Sequence, residues 1–139
     1  MQLILASHGP LAEAFLQSAE LITGMRPSNC HVLTMAMETS QEEVVQELDE
    51  LFSHFAPDED VLALTDVFGG SITNILVEYS MEHPMRIVAG TSFPMVLEAL
   101  LSQPSKCTDG FVDGLVKVGR DGVVDVNRHA AELGGKGEI

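Results

Sequence analysis

The feature that most constrains this chain is a set of short, unbroken apolar runs, each too brief for a helix and each ended by polar residues or glycine. Leu3-Ile4-Leu5-Ala6 stops at Ser7-His8-Gly9, and Val61-Leu62-Ala63-Leu64 stops at Thr65-Asp66. Ile87-Val88-Ala89 stops at Gly90-Thr91-Ser92. A run without alternation suits a strand covered on both faces, as in a parallel sheet. Behind the first run, Leu11, Ala14, Phe15, Ser18, Ala19 and Ile22 recur at helical spacing. In a doubly wound sheet, ligands and chemistry gather just beyond the carboxyl ends of the strands. His8 falls at such an end.

The rest of the chain repeats the alternation. A helix is expected over residues 10–23, closed by Gly24 at the C′ position, then a turn at Arg26-Pro27-Ser28-Asn29 and a strand His31–Met35. Thr39 or Ser40 caps the next helix, which carries glutamates in its first turn and runs to Phe52. Strand Val61–Thr65 follows, then the Gly69-Gly70-Ser71 turn and a helix from about Ile72 to Met81. Met85–Gly90 reads as the fourth strand, Met95–Leu101 as a helix that Pro94 opens, and residues 105–119 as a weaker helix. Val123–Val126 reads as a late strand. With no long crossover before it, that strand would be antiparallel or donated to a neighbouring chain. Together these elements predict a three-layer, doubly wound α/β fold with a mainly parallel sheet. The 139 residues are expected to form one domain with a tail from about residue 127, and Gly134-Gly135-Lys136-Gly137 should fray.

Composition narrows the partners. A formal net charge of −14 repels nucleic acid and anionic membrane surfaces and suits a basic protein partner. No Trp and one Tyr leave little for base stacking. No apolar run approaches the roughly 18–20 residues a bilayer span requires, and no secretory signal precedes the first strand, so a cytoplasmic protein is expected. Cys30 and Cys107 stand far apart without a CxxC pattern and read as two reduced thiols.

Three features fall at equivalent strand ends: His8, Asp66 and Thr91-Ser92. Parallel strands bring those ends to one rim. Asp66 can accept a hydrogen bond from one imidazole nitrogen of His8 and leave the other free as a nucleophile. Gly70 and Ser71 bring backbone amides, a helix N-terminus and a hydroxyl to the same rim, which suits a phosphate. Each part alone has a plainer reading: a structural histidine, an aspartate capping its turn, glycines serving close packing. The turn lacks the lysine of a P-loop. His31, His54, His83 and His129 have no partner at metal-ligand spacing and read as structural. Arg120 reads as a turn residue beside Asp121-Gly122.

Four blocks in order add a further argument. Ser7-His8-Gly9, the stretch Thr65–Asn74, the stretch Val88–Glu98 and Gly119–Gly122 together resemble the mannose-family IIA component of the bacterial phosphotransferase system, up to about residue 126. The resemblance implies that His8 is phosphorylated by phospho-HPr and hands the phosphoryl group to a IIB component, with IIC and IID membrane components acting further on in sugar uptake. It places Asp66 beside that histidine and Ser71 on the phosphate side, and calls for no metal or cofactor. It also implies a homodimer exchanging its C-terminal strands, for which Val123–Val126 is the candidate. Pro10 departs from the family pattern after the glycine. The short tail offers no linker to a IIB domain, so a stand-alone IIA component is expected.

Other readings compete. An IIA-like domain that senses phosphorylation in regulation would use the same His8 chemistry. A receiver phosphorylated on Asp66 needs an acidic pair after the first strand, where Ala6-Ser7-His8 stands. A hydrolase using Ser71 lacks the G-x-S-x-G elbow.

Overall fold

The computed structural model describes residues 1–134. The tail glycines Gly135 and Gly137 and the lysine between them lie outside the described residues. Four strands, β1 (Gln2–His8), β2 (Cys30–Met35), β3 (Val61–Thr65) and β4 (Arg86–Val88), form one sheet in the order β2-β1-β3-β4. Every pairing is parallel, with Leu5 opposite both Val32 and Leu64, and Leu64 opposite Val88. Between and after them run α1 (Leu11–Thr23), α2 (Gln41–Ser53), α3 (Ser71–Tyr79), α4 (Phe93–Ser102), α5 (Asp109–Asp121) and α6 (Val126–Glu132).

The unbroken runs are explained by two cores. Leu3, Leu5, Leu62 and Leu64 pack with α1, α4 and α5, while Ile4, Ala6, Val61 and Ala63 pack with α2 and α3. Successive side chains of a strand point to opposite faces, so a strand sandwiched by helices must be apolar at every position. The layers are helix, sheet, helix, as expected.

Caps set the element ends. Ser40 Oγ accepts the Glu43 N–H at 3.1 Å and starts α2, and Thr108 Oγ1 does the same for Phe111 in α5 at 3.1 Å. Gly24 closes α1 with φ 72°, its N–H bonded to the Glu20 carbonyl.

Three expectations need correction. The late strand does not form within the chain: Val123 and Val124 lie in irregular backbone, and Val126 opens α6. Asp125 explains the choice, because its carboxylate accepts the Arg128 N–H at 3.1 Å and caps a helix where a strand would need a neighbouring edge. β4 is shorter than Met85–Gly90 because only Arg86 to Val88 pair with β3. Arg120 belongs to the last turn of α5 and not to the loop after it. Among the described residues, no helix is long and apolar enough to cross a membrane.

Candidate functional site

The strand order reverses direction between β1 and β3: from β1 the chain winds outward to β2, and β3 returns to the other side of β1 before β4. A crevice opens at such a reversal, outside the carboxyl ends of the two strands. β1 ends on His8 and β3 is followed by Asp66, so the two side chains face one another there.

The local geometry at β1 depends on Ser7. This buried hydroxyl accepts the Ala12 N–H at 2.8 Å, satisfying a first-turn donor of α1 that Pro10 has no side chain to cap. Gly9 makes the intervening turn with φ 59°, and its N–H continues toward β2 by donating to the Met35 carbonyl at 3.0 Å.

Asp66 grips His8 twice. Its Oδ2 accepts the His8 backbone N–H at 2.8 Å and lies 2.9 Å from His8 Nδ1. Its other oxygen accepts the Val67 N–H at 2.9 Å. Burial pushes the Asp66 carboxyl up, but the backbone and ring donors of His8, its charge and the Val67 amide outweigh that, and the group titrates below its ordinary value. Asp66 is therefore an anion that accepts from Nδ1. That fixes the neutral imidazole with its proton on Nδ1 and its lone pair on Nε2. The carboxylate is nearly covered, at 8% exposure, whereas the imidazole is 47% exposed. The grip is inside and the free nitrogen faces outward.

Hydroxyls fix the backbone on either side of Asp66. Thr91 donates both its N–H (3.0 Å) and its Oγ1 (2.7 Å) to the Thr65 carbonyl. Thr73 Oγ1 lies 2.8 Å from the Thr65 hydroxyl and donates to the Val67 carbonyl at 2.8 Å. Thr91 thus turns toward the strand and not toward the opening. Ser92 Oγ is buried without a partner.

Gly70 and Ser71 stand at the start of α3. Gly69 takes φ 78° and the Gly70 N–H donates to the Val67 carbonyl at 3.1 Å, the pattern of a type II turn. Gly70 therefore has no free amide to offer. Donation passes to the next residues: the first bond back to the cap is from Asn74 to the Gly70 carbonyl at 3.0 Å, so Ser71, Ile72 and Thr73 have no acceptor within the helix. The Asn74 side chain ties the turn by donating to the Gly69 carbonyl at 3.2 Å.

The other histidines are engaged elsewhere. His31 Nε2 lies 2.8 Å from Gln2 Oε1, His54 Nδ1 lies 2.9 Å from the Glu50 carbonyl, and His83 stacks on Tyr79 with centroids 4.1 Å apart. His129 sits in α6. Among the described residues, no three His, Cys, Asp or Glu side chains gather as a metal's ligands would. Both cysteines are free, and burial pushes the Cys30 thiol up to about 12, so it stays protonated.

Sequence reasoning had paired His8 with Asp66, but not the parts played by Ser7, Thr65 and Thr73. A hydroxyl's role depends on what lies across the fold from it, and no local spacing marks that.

The family model EIIA-man, described as "PTS system fructose IIA component", matches residues 2–116. The chain belongs to this family. It is a mannose/sorbose-class IIA component of the phosphotransferase system, and hence a phosphoryl carrier of sugar uptake. The sorbose-specific EIIA component of Lacticaseibacillus casei is 29% identical, over 85% of each chain. The mannose-specific EIIAB component of Escherichia coli K12 is 27% identical over 87% of this chain, which spans 38% of that longer protein. Among solved structures, the phosphotransferase system component EIIA from Streptococcus agalactiae superposes with a TM-score of 0.82 at 26% identity, covering 91% of this chain and 98% of that one.

Proposed function

We propose that His8 carries the phosphoryl group, taking it from phospho-HPr and passing it to a IIB component. One observation carries this reading: Asp66 Oδ2 lies 2.9 Å from His8 Nδ1, leaving Nε2 as the open nitrogen beside the N-terminus of α3. Nε2 attacks the phosphorus in line. The bond from phosphorus to the donor imidazole breaks as the bond to Nε2 forms, and the donor keeps the electron pair. Asp66 holds the Nδ1 proton throughout and supports the positive charge that builds on the ring. The equatorial oxygens meet the Ser71 hydroxyl, the unpartnered amides of Ser71 and the residues after it, and the positive end of the α3 dipole. Transfer onward to IIB is the same step in reverse, with that component as acceptor.

The surface around the imidazole fits a protein partner. Leu11, Val67 and Phe68 are exposed beside it, Phe68 by 88%. Apolar groups around a half-exposed nucleophile serve docking, since they lose water when a partner covers them. Sorbose and mannose both occur in the relatives' names at similar identity. That suits a carrier whose site meets phosphate and protein while the sugar is selected elsewhere, by the IIB, IIC and IID components. The setting is cytoplasmic.

The same reading makes the chain a homodimer that exchanges its C-terminal segment. Val123, at 85% exposure, and Val124 are apolar side chains without cover, and β4 lies at an open sheet edge. A segment from one protomer laid along β4 of its partner would pair that edge and cover those valines.

The test is intact-mass spectrometry after incubation with phosphoenolpyruvate, enzyme I and HPr. The parent chain should gain one acid-labile phosphate and His8→Ala none. Phosphate entering the His8→Ala chain would refute the assignment.

A further inference from the structure

We propose that Gly70 is a positioning residue for the transfer, acting through the side chain it lacks: it forms the wall against which the His8 imidazole lies. The inference rests on the reading of His8 as the phosphorylated residue.

The two glycines of the turn differ in a telling way. Gly69 has φ 78°, a left-handed conformation that favours glycine, and a Cβ there would meet nothing within 4 Å. Gly70 has φ −71° and ψ 161°, extended backbone open to any residue. Its need for glycine is therefore steric. A Cβ on Gly70 would stand 3.1 Å from His8 Cε1, 3.2 Å from the Val67 carbonyl oxygen and 3.4 Å from Val67 Cβ.

Contacts this tight require a neighbour to move by a few tenths of an ångström. The Val67 carbonyl is held by the Gly70 N–H and the Thr73 hydroxyl, so it resists. The imidazole is half-exposed and fastened at one atom, so it yields. Cε1 lies between the two ring nitrogens. Pushing it swings Nδ1 relative to Asp66 and re-aims Nε2 relative to the amides of α3. Glycine at this position thus aligns the attacking nitrogen without touching the phosphate, whereas its own N–H is spent on the turn. Alignment of a reacting atom is steep in energy, a 1 Å error costing about 100-fold in rate.

Gly70→Ala suits the backbone conformation and leaves Asp66 in place, and its Cβ presses on the ring and on the held Val67 carbonyl. Single-turnover transfer from phospho-HPr should slow about three- to ten-fold, in keeping with a sub-ångström displacement. Heteronuclear NMR should show the His8 ring nitrogen resonances shifted, with the remaining amide resonances in place. In an Asp66→Asn background, Gly70→Ala should cost much less, because the grip it disturbs is already weakened. Gly114→Ala, where a Cβ meets open space on α5, should transfer at the parent rate. Parent-like transfer and parent-like ring resonances in Gly70→Ala would overturn the proposal and leave His8 as the carrier. Loss of the fold in Gly70→Ala would overturn it too, since the Cβ would then displace backbone and not the imidazole. Failure of the underlying reading shows separately, as phosphate entering the His8→Ala chain.

Discussion

At the scale of single residues, the decisive feature is that one carboxylate oxygen serves both the main chain and the ring of His8. The backbone bond from the His8 N–H to Asp66 Oδ2, at 2.8 Å, fixes where the carboxylate lies before the imidazole is considered. The ring Nδ1 then lies 2.9 Å from the same oxygen. Asp66 also leaves a pH signature. Its folded value is depressed, so its stabilising contribution is present above the ordinary 3.8 and is lost as pH falls through the folded value. The stability difference between the parent and Asp66→Asn, measured by urea unfolding from neutral pH downward, should be full at neutral pH and close below that ordinary value. A difference that stays constant across the acid range would mean that the carboxylate gains nothing from its donors. Asp66→Asn should also slow phosphoryl transfer while leaving the fold intact, through a ring that is less firmly oriented.

At the scale of elements, the helices are started by side chains and held by the sheet. α2 buries only Val44 and Leu48 along its length, so its N-terminal cap carries unusual weight. Removing the Ser40 hydroxyl leaves the Glu43 N–H without its acceptor. Ser40→Ala should lower the stability by about 1 kcal/mol. Urea unfolding would show this as a lower midpoint with an unchanged slope. α3 is held differently. No side chain caps it, and the amides of Ser71, Ile72 and Thr73 have no acceptor within the helix. A helix start satisfied by its own cap would have fewer donors to offer.

At the scale of the whole molecule, the proposed site and the proposed dimer contact fall on different parts of the sheet. His8 and Asp66 occupy the crevice between the two central strands, while β4 ends the sheet on one side. The valines after α5 are exposed. A chain ended at Gly122 should sediment as a monomer where the parent sediments as a dimer, while still accepting phosphate on His8. A truncated chain that remained dimeric would remove the exchanged segment from the interface. The net charge of −14 acts at this scale too, steering a basic partner toward the molecule without choosing where it docks.

The sequence by itself determined the layer order, the parallel sheet and the identity of the paired residues. Runs such as Leu3–Ala6 and Val61–Leu64 are apolar at every position, which only a strand covered on both faces requires, and their polar ends name the rim. Hydrophobic pattern is a local property, so local reading finds it. The tertiary structure alone decided which nitrogen of His8 is open, which of the glycine-turn amides are free, and how closely Gly70 approaches the imidazole. The pairing that leaves Nε2 open joins groups 58 positions apart, and no local spacing encodes such a contact. The fate of Val123–Val126 was decided the same way. Valines favour a strand, but a strand needs an edge to pair with, and within one chain Asp125 caps a helix first.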